Sequence, residues 1–252
     1  MSKDKVKELS KSGPVKVENG LRIYEYDSEE HKSFAELEPG VYKLGARSKG
    51  FLSSGFILEL TEMPIVSDKI LPLPSKEFKQ VRNQINEFLK PEIRKKYKSL
   101  GFVYKRSVLL YGEPGTGKTC LINQLCKDIV KNDGIVLWAE HPGYAKALDK
   151  FFHFNNKESF VALIMEEFDT IIQNTESAAL TLLDGQVQRD NTMFLCTTNY
   201  INKTPARILR PVRINIKMKI DFPDEEVRKY YLYNFLQDES LINEIVSKKV
   251  DK

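Results

Sequence analysis

The sequence predicts an α/β fold: a parallel sheet flanked by helices, preceded by a small β-rich module and followed by a short helical segment. Three observations predict it. Four continuous apolar runs, beginning at Ser107, Ile135, Val161 and Thr192, recur at intervals that leave room for helices, and such runs mark strands buried on both faces. The first run passes through a glycine-rich turn directly into a helical pattern. Ahead of Pro72 and Pro74, shorter strand-like segments separated by glycines replace the long runs.

Residues 1–20 are polar and lysine-rich and read as a mobile tail. Between 21 and 73, Leu21–Tyr26, Val41–Leu44 and Phe56–Leu60 read as the strands of the β-rich N-terminal module. Its Gly45–Gly55 stretch, rich in glycine and serine, reads as a loop. Ile70-Leu71-Pro72-Leu73-Pro74 reads as a linker, because two prolines restrict the chain without starting a helix. The α/β domain proper is placed at 74–220. It opens with a helix carrying Phe78, Val81, Ile85 and Phe88 on one face. A basic run follows: Lys90, Arg94, Lys95, Lys96, Lys98, Lys105 and Arg106. It lacks interleaved stacking aromatics, so a solvated face is favoured over a nucleic-acid surface.

Ser107–Tyr111 reads as the first buried strand and Lys118–Lys131 as the helix behind it. Ile135–Trp138, Val161–Met165 and Thr192–Thr197 supply the second, third and fourth strands. Ile214–Ile220 alternates strictly, as a half-exposed edge strand would. Pro223 and three acids then open a helix carrying Val227, Tyr231 and Phe235. Residues 221–252 have length for about two helices, a partial lid.

With 252 residues, 41% hydrophobic and 29% charged, the chain has the make-up of an ordinary soluble domain and can bury a sizeable core. Its formal charge of +4 is too small to argue for nucleic acid alone. Cys120, Cys126 and Cys196 form an odd, unpatterned set in apolar segments, which points to a reducing compartment and a cytoplasmic location. No run approaches the length of a membrane span.

The chemistry begins at Gly112-Glu113-Pro114-Gly115-Thr116-Gly117-Lys118-Thr119, which fits G-x-x-x-x-G-K-[ST] between a strand and a helix. Glycines let backbone N–H groups turn inward around phosphate oxygens, and the following helix adds positive potential. Together with Cys120 at the helix start, this stretch is the expected nucleotide cradle. Lys118 would reach the β- and γ-phosphates, and Thr119 would ligate Mg²⁺. The third strand ends in Glu166-Glu167-Phe168-Asp169. Carboxylates at that edge of a parallel sheet lie where ligands bind, so Glu166 would face the metal and Glu167 would polarise the attacking water. The fourth strand ends in Thr197-Thr198-Asn199, whose amide could hydrogen-bond the γ-phosphate and the lytic water. Arg207, Arg210 and Arg213 follow in Pro205–Arg213. An arginine near a subunit face can stabilise transition-state charge in a neighbouring site.

In order and spacing these residues resemble the AAA subfamily of AAA+ ATPases, from about Tyr97 to Pro223. Gly101–Thr119 is similar to the approach to the family's Walker A loop, Ile164–Asp169 to Walker B, and Leu182–Gly185 to the helix before the fourth strand. Thr197–Asn199 is similar to sensor 1, and Leu209–Arg213 to the arginine-finger segment. The resemblance implies ATP and Mg²⁺ as ligands and a homo-oligomeric ring, usually a hexamer, with nucleotide at subunit interfaces. Lys118, Thr119, Glu166, Glu167 and Asn199 would act in cis, and Arg210 and Arg213 in trans. Glu166 stands where the family usually has aspartate, an order that resembles the Bcs1-like branch. Val212 stands where a glycine is usual. No aromatic-apolar-glycine pore loop appears between the second and third strands; Tyr144 and Phe151-Phe152 lie there and read as helix packing. No sensor 2 arginine can be named. The implied function is Mg²⁺-dependent ATP hydrolysis that remodels a macromolecular partner. A nucleotide-gated scaffold with weak hydrolysis is the alternative, and a DNA-transaction ATPase is a third reading that the basic run permits.

Overall fold

Among the described residues, short apolar runs bounded by glycine, proline and charged residues become nine strands of one sheet in the computed structural model. It describes residues 16–18, 21–27, 37–48, 56–64, 74–141, 158–184, 190–236 and 238–247. The strands are β1 (Lys16–Glu18), β2 (Leu21–Asp27), β3 (Gly40–Ser48), β4 (Phe56–Met63), β5 (Lys105–Tyr111), β6 (Ile135–Ala139), β7 (Val161–Met165), β8 (Thr192–Thr198) and β9 (Ile216–Lys219). Their order is β1-β2-β4-β3-β6-β7-β8-β5-β9. β6, β7, β8, β5 and β9 pair in parallel, which makes the mixed α/β fold expected from the apolar runs. β1 to β4 pair antiparallel among themselves, and β3 then joins β6 in parallel, Val41 opposite Val136 and Lys43 opposite Trp138. The N-terminal strands therefore extend the same sheet.

Alternation along each parallel strand sorts the core into two layers. Leu109, Leu137, Leu163, Phe194 and Cys196 point to one face. There they meet Phe168 and Ile172 of α4 (Phe168–Gln173) and Ala179, Leu182 and Leu183 of α5 (Glu176–Asp184). Val108, Leu110, Val136, Ile164 and Leu195 point to the other. That face is covered by α1 (Lys76–Leu89) and α3 (Lys118–Lys131), which contributes Leu121, Ile122, Leu125 and Ile129. The four residues expected on the apolar stripe of α1, Phe78, Val81, Ile85 and Phe88, are its buried residues. Ser75 caps this helix, its hydroxyl accepting from the Phe78 N–H at 3.2 Å.

Four local expectations change. Lys16–Glu18, placed in the mobile tail, form β1, because β2 gives them an antiparallel partner. Gly45 to Ser48 continue β3, because they pair with Phe56 to Glu59 of β4; 49–55 lie outside the described residues. The basic run is not one surface. Pro91 forces Lys90 into extended backbone and restarts the chain as α2 (Pro91–Ser99). Lys90 then pairs with Glu87, Arg94 with Glu158, and Arg106 lies 4.5 Å over the Phe88 ring. Lys105 donates to the Leu183 carbonyl at 2.7 Å. After β9 the chain forms α6 (Glu225–Tyr233) and α7 (Glu239–Ser247). Val227 is buried, while Tyr231 is exposed on α6 and Phe235, also exposed, falls beyond its end. Ile70–Leu73 of the expected linker, together with Tyr144, Phe151 and Phe152, lies outside the described residues.

Candidate nucleotide site

The chain leaves β5 through α3 toward the β6 side of the sheet, and leaves β8 toward β9 on the opposite side. Neighbouring strands whose exits diverge open a crevice at their carboxyl ends. The predicted motifs converge on this crevice. A cleft of about 670 Å³ is lined by Pro114, Gly115, Gly117, Lys118 and Thr119 from the loop, Glu166 and Glu167 after β7, and Thr197 and Asn199 at the end of β8.

The loop is clamped where it leaves β5. The Gly112 N–H donates to the Thr198 carbonyl at 3.3 Å, and the Ile220 N–H donates to the Tyr111 carbonyl at 2.7 Å. A Cβ on Gly112 would lie 2.1 Å from the Ile220 carbonyl oxygen, so only glycine fits. Gly115 and Gly117 adopt φ of 80° and 91°, and Gly117 is the left-handed N-cap of α3. Thr116 is buried and its hydroxyl donates to the Glu113 carbonyl at 3.0 Å. The Lys118 ammonium donates to the carbonyls of Gly112 at 2.8 Å and Glu113 at 2.7 Å. Burial pulls the Lys118 pKa below its ordinary value, against the opposing charges of Glu113 and Glu166. Cys120 does not line the cleft. Its side chain packs against the sheet layer of α1 and α3, and only its backbone belongs to the first turn of α3.

Thr119 and Glu166, the two residues expected at the metal, are in contact: the Thr119 hydroxyl donates to Glu166 Oε1 at 2.6 Å. Among the described residues no cluster of three or more His, Cys, Asp or Glu side chains stands ready to hold a metal alone. A cation here would share the Thr119 and Glu166 oxygens with phosphate and water, as suits Mg²⁺. Glu167 turns the chain from β7 into α4 with φ of 48°, a left-handed conformation unusual for a side-chain-bearing residue. Its N–H reaches Thr197 Oγ1 at 3.4 Å, which holds the end of β7 against β8.

Sequence reasoning missed several participants. Asp169 is buried and accepts a hydrogen bond from the Thr198 hydroxyl at 2.5 Å; that hydroxyl in turn accepts from the Tyr200 N–H at 3.0 Å. The link fixes the start of α4 to the end of β8. Trp138, Ala139 and Glu140 at the carboxyl end of β6 also line the cleft. Their position at a parallel strand end was the available signal. Arg210 and Arg213 do not line it. Arg210 is exposed, and Arg213 forms a two-pronged ion pair with Asp184 at the end of α5.

One side of the cleft offers backbone N–H groups and an ammonium, and the other offers the carboxylates Glu140, Glu166 and Glu167. Glu140 is paired with Lys43 at 3.0 Å, so a polyanion alone would be repelled chiefly by Glu166 and Glu167, whereas a polyphosphate carrying a divalent cation satisfies both sides. This arrangement, on a strand–loop–helix at the switch point of a parallel sheet, is that of a P-loop nucleotide-binding fold. Residues 108–222 match the family model described as "ATPase family associated with various cellular activities (AAA)". Through this segment the chain is similar to the AAA+ ATPases, Bcs1 chaperones among them.

The chain is 27% identical over 174 residues to the "Probable mitochondrial chaperone bcs1" of Schizosaccharomyces pombe, covering 63% of this chain and 38% of that protein. It is 28% identical over 214 residues to the "26S proteasome subunit RPT4" of Saccharomyces cerevisiae, covering 77% and 45%. To the "Proteasome-activating nucleotidase" of Methanocella arvoryzae it is 27% identical over 194 residues, covering 66% and 46%. The chain thus spans less than half the length of these curated relatives.

Proposed function

We propose that this chain hydrolyses ATP with Mg²⁺ and assembles as a ring, its sites completed between copies, to remodel a protein partner. The observation that carries the reading is the convergence of Lys118, Thr119, Glu166, Glu167 and Asn199 on one cleft from three separate strand ends. The loop N–H groups and Lys118 bind the phosphates. Thr119 and Glu166 would hold Mg²⁺, which when bound neutralises phosphate charge and orients the terminal phosphoryl group. Glu167 accepts the proton of the attacking water, and Asn199 orients that water. Glu166 in place of aspartate reaches the Thr119 hydroxyl directly, so the longer side chain still meets its metal partner. Arg210 or Arg213 of a neighbouring copy supplies charge at the γ-phosphate.

The N-terminal strands of 21–73 form the surface proposed for partner contacts, with 74–220 as the ATPase domain and 221–252 as part of the lid. No helix among the described residues is long and apolar enough to cross a membrane. The three free cysteines support a reducing compartment, and the cytoplasm is our reading of it.

The test is the ATPase rate per protomer against protein concentration with Mg²⁺ present, using Glu167→Gln as the blank. A rate rising cooperatively with concentration supports sites shared between copies. A flat rate at the level of the blank, with ATP still bound, overturns hydrolysis and leaves a nucleotide-gated scaffold.

A further inference from the structure

The segment between β8 and β9 is fastened to the body of the protein on both sides of Arg210. Upstream, Arg207 Nε donates to Glu176 Oε1 at 2.5 Å, at the start of α5. Downstream, the Arg213 guanidinium takes both carboxylate oxygens of Asp184 at the end of α5 and also donates to the Arg207 carbonyl. The backbone is held as well. Ser107 of β5 donates through its hydroxyl to the Arg213 carbonyl and through its N–H to Asn215 Oδ1, and the Asn215 amide donates to the Pro211 carbonyl at 3.0 Å. Ile208 is wholly buried beneath this frame. Between the two fastenings, Arg210 is exposed and, among the described residues, makes no ion pair.

The two arginines of the finger segment thus have different chemistry open to them. The Arg213 side chain is only 17% exposed. To reach another copy it would have to abandon a two-pronged, charge-assisted contact and a carbonyl, bonds among the stronger a surface offers. Arg210 has no such bonds to break. Its own carbonyl accepts from the Arg213 and Ile214 N–H groups at 2.8 and 2.9 Å, so the turn that presents Arg210 is built on the residue that Asp184 anchors.

We propose that Arg213 is a positioning residue, anchored within its own chain by Asp184, and that Arg210 alone is presented to the nucleotide of a neighbouring copy. The division of labour rests on the reading of shared sites given above. Asp184 has no part in that reading, which makes it the informative position. Aspartate and arginine at this separation in sequence, 29 residues, act as one unit: loss of either frees the same turn.

The experiment measures kcat, KM and ATP affinity at a protein concentration where the rate per protomer has levelled off. The variants are Arg210→Ala, Arg213→Ala, Arg213→Lys, Asp184→Asn and the Asp184→Asn/Arg213→Ala double. Arg210→Ala is expected to lose about 10³-fold in kcat with ATP affinity retained. Asp184→Asn and Arg213→Ala are each expected to lose roughly tenfold in kcat, and the double variant no more than either, because residues acting as a unit are not additive. Arg213→Lys, which keeps one charged bond, recovers part of the loss only with Asp184 intact. Asp184→Asn preserves side-chain shape and carries the test alone should Arg213→Ala fail to melt cooperatively. Arg213→Ala falling as far as Arg210→Ala, with Asp184→Asn at wild-type kcat, would overturn the proposal and place Arg213 across the interface. Wild-type turnover in Arg210→Ala would instead remove the shared-site reading itself.

Discussion

Gly112 carries the sharpest test of how the phosphate loop is held. The perturbation is Gly112→Ala. Its Cβ would sit 2.1 Å from the Ile220 carbonyl oxygen and 3.1 Å from the carbonyl carbon. Carbon–oxygen contacts in proteins settle at about 3.3–3.6 Å, so one backbone must move by more than about 1 Å. Neither is free to move. The Ile220 N–H is bonded to the Tyr111 carbonyl at 2.7 Å, and the Gly112 N–H to the Thr198 carbonyl at 3.3 Å. Overpacking costs about 1–3 kcal/mol. The φ of 154° adds roughly 1–3 kcal/mol for any residue with a side chain. A destabilisation of about 4 kcal/mol is expected, a large share of the ~5–15 kcal/mol that holds a domain folded. The assay is urea denaturation followed by far-ultraviolet circular dichroism, paired with an ATP titration read from Trp138. This is the chain's single tryptophan and it lines the cleft. Loss of stability together with loss of ATP affinity is the expected result. A variant within about 1 kcal/mol of the parent, with unchanged affinity, would refute the clamped exit of β5.

Four further outcomes follow from the same contacts. Lys118→Ala should abolish ATP binding in the tryptophan titration, and retained affinity would remove the phosphate cradle. Thr198→Val leaves the buried Asp169 carboxylate without its 2.5 Å donor; about 2 kcal/mol should be lost in urea melts, and a neutral result would mean that Asp169 needs no such partner. Asp128→Ala breaks the bidentate bond from Arg82, at 2.6 and 2.8 Å, that ties α1 to α3. Because Arg82 is 40% exposed, about 1 kcal/mol is expected, with ATP affinity intact; an affinity change without a stability change would contradict this structural role. The Arg213 guanidinium holds the Asp184 carboxyl below its ordinary 3.8. The stability from this pair is present above 3.8 and disappears as the pH falls through the lower folded value, so kcat should show no Asp184-dependent step near neutrality. A titration that vanishes in Asp184→Asn between about pH 5 and 8 would refute that assignment.

The parts legible in the sequence were those governed by local pattern. β7 and α3 have the bounds that their apolar runs and the glycine–lysine boundary imply. The motifs at the ends of β5, β7 and β8 share the cleft because parallel strands deliver their carboxyl ends to one edge. What was hidden depends on contacts between distant residues. Nothing in Gly40–Ser48 announces that this strand pairs with β6 across nearly a hundred residues, and its run past Leu44 rests on β4 alone. α2 was masked by its lysines, since a polar helix without buried residues has no apolar stripe to read. Arg213 looked equivalent to Arg210 because only tertiary structure brings Asp184 beneath one of them. Cys120 followed the motif into the expected cradle, yet the 3.6-residue period turns its side chain away from Thr119 and onto the core.

Register explains why so few residues suffice to build the site. Met165 stands opposite Cys196, and Tyr111 opposite Thr198. Glu166 and Gly112 therefore emerge where β8 ends in Thr197, Thr198 and Asn199. A one-residue slip of β7 against β8 would shift Glu166 by about 3.3 Å and reverse the faces of β7. Such a slip is opposed by both layers of the core, because Leu163 would leave one hydrophobic layer as Ile164 left the other. The distance between Thr119 and Glu166 is thus set by buried side chains several residues away from either. The acids have no comparable freedom to retreat from one another, and their mutual repulsion is tolerable because Lys118 and the N-terminus of α3 face them across the cleft. A metal-bearing triphosphate would complete that balance of charge, and the same hydrophobic registration that folds the sheet would supply the precision that the proposed hydrolysis requires.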